Sequence, residues 1–128
     1  MSKTENAVYH PFVGIPGLPF SEAVQVGNLL FLSGQIGTDA YGELVQGGIT
    51  AETRHALANI SAVLARQGSS IERIVKVTVM LADIDEWPAM NAEYIKFFPE
   101  HFPARSAFAT SGLAMRARVE IECIALTA

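Results

Sequence analysis

"SIERIVKVTVMLADI", residues 70–84, alternates with the period of a strand. Val75, Val77, Val79 and Leu81 fall on one side of an extended chain, with Lys76, Thr78 and Met80 on the other, the pattern of a strand buried on one face. The preceding stretch "TAETRHALANISAVLARQG" (50–68) switches to a helical period: Leu57, Ile60, Val63, Leu64 and Gln67 form one stripe, Thr50 suits an N-cap and Gly68 a stop. On the other side a second helix begins near "DEWPAMN" (85–91), where Pro88 suits a first turn. It carries Trp87, Met90, Tyr94, Phe97 and Phe98 toward the sheet before Pro99 disturbs it. That aromatic stripe reads as core rather than as a cofactor-binding box.

Further out, "ARSAFAT" (104–110) and "ARVEIECIAL" (117–126) alternate as strands joined by "SGLAMR", with Val119, Ile121 and Cys123 opposite Glu120, Glu122 and Ile124. Near the N-terminus, "EAVQVGNLLFLSGQ" (22–35) gives a hairpin around Gly27-Asn28 that ends at Ser33-Gly34. "IGTDAYGELVQGG" (36–48) has no clean period and reads as a loop, without the lysine and spacing of a phosphate-cradling P-loop. The order hairpin, helix, strand, helix, two strands, without repeats or linkers, predicts one domain over 1–128: an α+β mixed sheet with two helices packed on one face.

Composition narrows the function. Only 17% of the 128 residues are charged while 50% are hydrophobic, so part of the surface is apolar and a homo-oligomer is expected. Thirteen acidic against nine basic residues give a net charge of −4, and the basic residues form nothing denser than "RAR" at 116–118. Nucleic acid is therefore not an expected partner. Cys123 is the only cysteine, which excludes an internal disulfide and any multi-thiolate metal site; it alternates with core residues and reads as a small hydrophobe. His10, His55 and His101 share no metal-binding spacing, so no metal and no cofactor are expected. "MSKTENAVYHPF" has no apolar export core and no stretch is long enough to span a membrane, so a soluble, cytoplasmic protein is expected.

One charge is out of place. In "FPARSAFA" (102–109) Arg105 shares a strand face with Ala107 and Ala109. Small neighbours leave room for a ligand, and a guanidinium can grip a carboxylate, as in a keto or imino acid, through two parallel N–H bonds. The other reading pairs Arg105 with Glu120 or Glu122 across adjacent strands. Glu120 itself is either a solvated edge charge or a carboxylate in a pocket.

"PFSEAV" (19–24), "GNLLFLSGQIG" (27–37), "IVKVTVMLADI" (74–84), "MNAEYIKFF" (90–98), "PARSAF" (103–108) and "VEIECIA" (119–125) together resemble the Rid (RidA/YjgF) family of reactive intermediate deaminases, over nearly the whole chain. The resemblance implies a chorismate-mutase-like fold, a homotrimer with clefts between subunits, and hydrolysis of 2-imino acids such as 2-iminopropanoate and 2-iminobutanoate to 2-keto acids and ammonia. It places the carboxylate on Arg105 and the hydrolytic water on Glu120, with Ser33, Gly34 and Asn91 lining or supporting the cleft.

Phe20 stands where the deaminase branch usually has tyrosine, and Ala107 where it usually has cysteine, though the backbone N–H at 107 is still available to a carboxylate. Both departures point to a different or bulkier substrate, such as an enamine of the 2-aminomuconate or aminoacrylate type. A non-catalytic regulatory trimer that binds small carboxylates would use the same arginine without needing Glu120. A ribonuclease, an activity described for some members, fits poorly with the acidic balance.

Overall fold

The computed structural model describes residues 6–128, so the first residues of the stretch read for an export signal lie outside it. Six strands form one sheet: β1 (Val8–His10), β2 (Ala23–Val26), β3 (Leu29–Ile36), β4 (Ile74–Leu81), β5 (Ala104–Ala109) and β6 (Val119–Leu126), in the order β1-β2-β3-β6-β4-β5. Neighbours are antiparallel except β4 and β5. That parallel pair needs a crossover, which helix α2 (Trp87–Tyr94) supplies. Helix α1 (Gly48–Arg66) links β3 to β4, and β6 inserts between those two strands.

Both helices pack on the same face of the sheet and against each other, as the sequence predicts. Leu57, Ile60, Val63 and Leu64 of α1 and Met90 of α2 bury against Leu30, Val77, Val79, Leu81, Val119 and Ile121. Burial of each such side chain stabilises by about 1.5–3 kcal/mol. Two buried carboxylates are ion-paired, Glu22 with Arg66 at 2.7 Å and Glu93 with Lys96 at 2.7 Å and Arg54 at 3.1 Å, and a third, Glu52, accepts the Arg118 backbone N–H at 2.8 Å. No helix among the described residues is long and apolar enough to cross a membrane.

Several details depart from the sequence reading, among them the second helix, which ends at Tyr94 and passes into a 3-10 turn over Ile95–Phe97 instead of running to Pro99. Val75 is 41% exposed, not core: the β4–β6 register shifts between Ile74 and Lys76, the extra residue flips the alternation, and Ile74 takes the buried place. Helix α1 starts at Gly48 with Gly47 as its cap, leaving Thr50 inside the first turn, because the Thr38–Leu44 bridge and the Val45 N–H bond to Gly37 O bring the chain to the helix early. The hairpin strand runs past Gly34 to Ile36 across a register shift between Leu32 and Gln35. Strand β1, which pairs with Ala23–Gln25, lies in a stretch too short to show a period.

Among the described residues, no helix covers the second face of the sheet. Phe31 and Phe108 are 40% and 46% exposed there, beside Met80, Val26 and Ile124, while Glu120 and Glu122 project from β6 on the same side. This is a largely apolar surface interrupted by carboxylates.

Candidate active site

Strand β5 is a sheet edge: β4 pairs with one of its sides, and the other has no neighbour in the sheet. An edge strand leaves alternate backbone N–H groups without ladder partners, which makes them available to a ligand. Arg105 pairs with Val77 and Ala107 with Val79, and because both valines are core, Arg105 and Ala107 face the helices.

There α2 receives the arginine. Nη1 of Arg105 donates to Asn91 Oδ1 at 2.8 Å, and the guanidinium carbon lies 4.6 Å from the Tyr94 ring centroid and 5.5 Å from that of Trp87. Trp87, Met90, Asn91 and Tyr94 occupy one helical face at i, i+3, i+4 and i+7. The aromatic stripe therefore does more than fill the core: Met90 and Phe98 are buried in it, Trp87 is 36% exposed at its rim, and two of its rings hold the guanidinium. The sequence reading assigns both rings to the core and not to the site, although both share a helical face with Asn91. A pocket of about 260 Å³ opens beside Arg105, walled by Tyr94, Ile95, Phe102 and Pro103.

Pairing of Arg105 with a strand glutamate is ruled out within the chain. Strand β4 separates β5 from β6, and Glu120 and Glu122 project from the opposite face. With one N–H given to Asn91, the remaining donors of Arg105 have no carboxylate partner among the described residues.

Glu120 lies across from Met80 and Ile36 and is half-buried. Its side chain packs over Gly34, where a Cβ would meet Oε2 and come within 2.9 Å of Cδ and 3.0 Å of Cγ. Burial pushes the Glu120 carboxyl above the ordinary carboxylate range, and the charge of Glu122 pushes it further the same way. It is a carboxylate in a recess, not a solvated edge charge. Ser33 braces that recess: its N–H donates to Glu22 O at 3.1 Å and its hydroxyl to Ser21 O at 2.6 Å. The brace ties β3 to the segment that carries Phe20, a 52% exposed ring set edge-on to Phe12 at 5.4 Å. Cys123 is buried and its thiol is pushed up to about 12, chiefly by burial, so it carries no reactive thiolate.

The residues singled out from the sequence thus fall into two groups. Arg105, Asn91 and Ala107 gather where β5 meets α2. Ser33, Gly34 and Glu120 gather around the β3–β6 register shift, with Phe20 tethered alongside. One chain assembles each group but does not bring the two onto one face of the sheet.

A mixed sheet with both helices on one face and an arginine held at its edge strand defines the chorismate-mutase-like α+β class. Residues 15–127 match the family described as Endoribonuclease L-PSP, and the chain belongs to this family, the Rid (RidA/YjgF) proteins. It is 44% identical over 109 residues to the 2-iminobutanoate/2-iminopropanoate deaminase of Capra hircus, covering 84% of this chain and 80% of that one. Its fold is similar to that of YyfA, a Rid family protein of unknown function from Yersinia pestis, with TM-score 0.88, 35% identity, and 95% and 100% of the two chains covered. It is also similar to E. coli TdcF with bound serine, at TM-score 0.81 and 30% identity, with 94% of each chain covered.

Proposed function

We propose that the chain is a hydrolytic deaminase of 2-imino acids, working as a homotrimer whose sites join the Arg105 group of one copy to the Glu120 group of another. The observation that carries this reading is the arginine itself: a guanidinium fixed by α2 at an open strand edge, with donors to spare and no carboxylate among the described residues to take them. Deaminases of this name among the relatives, and the serine bound to TdcF, which has an α-carboxylate, support a carboxylate-bearing substrate.

In the proposed reaction Arg105 holds the substrate carboxylate through two N–H bonds, assisted by the backbone N–H of Ala107 at the strand edge. Water attacks the carbon of the C=N bond while Glu120 accepts a water proton. The proton passes to nitrogen to give a carbinolamine; its hydroxyl proton then moves to nitrogen by way of Glu120 as the C=O forms and the C–N bond breaks, and ammonia leaves with a 2-keto acid. A recessed carboxylate held above the ordinary carboxylate range suits both steps, accepting a proton and returning it. The second face of the sheet, apolar and without a covering helix, supports assembly, and the lone buried thiol suits the cytoplasm, where we place the protein.

A coupled assay tests this reading by generating imines of different side chain in situ and following ammonia or keto-acid release. Acceleration over spontaneous hydrolysis that disappears in Glu120→Gln marks an enzyme. Carboxylate binding without acceleration marks a sensor.

A further inference from the structure

The carboxylate-binding reading accounts for the free edge of the Arg105 guanidinium but not for the two aromatic faces against it. Tyr94 is 3% exposed and packed against Phe98, with ring centroids 4.8 Å apart at a 40° tilt, so its ring is a fixed platform 4.6 Å from the guanidinium carbon. Trp87, seven residues earlier on the same helical face, places a second ring at 5.5 Å. The buried Tyr94 hydroxyl has no hydrogen-bond partner among the described residues, and it is the ring face that lies toward the guanidinium. Nη1 is taken up within the chain, by Asn91 Oδ1 at 2.8 Å and by the Met90 thioether sulfur at 4.0 Å, which leaves the Nε hydrogen and both Nη2 hydrogens to a ligand.

We propose that Trp87 and Tyr94 are positioning residues for carboxylate recognition: their ring faces hold Arg105 as a pre-oriented fork before substrate arrives. This rests on the reading of Arg105 as the carboxylate holder. Ring faces attract a guanidinium through their quadrupole. A long side chain restrained before binding loses less rotamer freedom on binding, so the gain falls on affinity rather than on the chemical step.

The test uses the full chain with 2-oxobutanoate as the binding probe and an imine made in situ as substrate. Trp87→Leu and Tyr94→Leu are expected to raise KM and the keto-acid Kd on the order of three- to tenfold, the range of cation–π attraction. The value of kcat should stay within about twofold, the signature of lost uniform binding. Trp87→Phe and Tyr94→Phe, which keep a ring face, should stay near the parent. If Tyr94→Leu does not fold, Trp87→Leu, at the part-exposed position, decides the matter. Unchanged Kd in Trp87→Leu, or equal losses in Trp87→Leu and Trp87→Phe, would overturn the proposal. Arg105→Lys separates the two levels: normal keto-acid binding there removes the carboxylate reading along with this one. Lost binding there beside normal binding in Trp87→Leu removes the aromatic clamp alone.

Discussion

The Glu120 carboxylate occupies the space that a side chain on Gly34 would fill, with Cδ and Cγ at 2.9 and 3.0 Å from where a Cβ would stand. The atoms in the way belong to the mobile end of one side chain, not to backbone, so an added methyl displaces Glu120 more readily than it disturbs the sheet. Gly34→Ala is expected to fold with little change in melting temperature and to lose roughly 10- to 100-fold in kcat, the cost of about an ångström of misplacement. Melting curves beside turnover measurements check this; a large stability loss with unchanged turnover per folded protein would show that Gly34 serves the sheet instead.

Activity and stability should respond to Glu120 in opposite directions. Its carboxyl is raised by burial and by Glu122, so the folded state prefers the neutral form. The stability contribution is present below the unfolded-state value and lost as pH rises through the folded value. Glu120→Gln is therefore predicted to melt higher than the parent at neutral pH while losing ~10² to 10⁴ in enzymatic rate. In the parent, kcat/KM should fall with acidity at a pH above the ordinary carboxylate range, and Glu122→Gln should move that fall to lower pH by removing a like charge. A Glu122→Gln profile displaced the other way would contradict the assignment of the base.

Ser33→Ala removes the 2.6 Å bond to Ser21 O and leaves that carbonyl short of a donor. The expected loss is about 1 kcal/mol, seen as a melting temperature lower by about 3–5 °C for a chain of this size. Differential scanning calorimetry reads it directly, and an unchanged melt would show that the Phe20 segment is held by other contacts.

How much the sequence tells depends on the range of the contact. The α1 stripe and the alternation of β6 are local patterns, and both place the right residues in the core except Gln67, which caps α1 and is only half-buried. Val75 misleads because a bulge shifts phase without any residue type announcing it. The position of Arg105 on the face of Ala107 follows from period two, but its partners do not. Whether β5 lies beside β6 is a matter of strand order, and once β4 comes between them a glutamate pair is out of reach. The two rings around the guanidinium are visible in the sequence as a helical stripe, yet only the crossing of α2 over β5 turns that stripe into a cradle.

The uncovered sheet face and the divided site predict the same assembly. Sedimentation or light scattering at micromolar concentration should give about three times the 13.8 kDa chain mass. A monodisperse monomer would leave Phe31 and Phe108 in water and the Arg105 and Glu120 groups on opposite faces of the sheet.

Subunit complementation tests the central claim most directly. Arg105→Lys and Glu120→Gln chains, each nearly inactive alone, are mixed, unfolded and refolded together, and imine hydrolysis is measured against each refolded alone. If a site joins Arg105 of one copy to Glu120 of another, random mixing restores about a quarter of the sites, because each intact group comes from a different chain half of the time. Recovery near that level is the predicted result; mixtures no more active than the separate variants would contradict a site shared between copies.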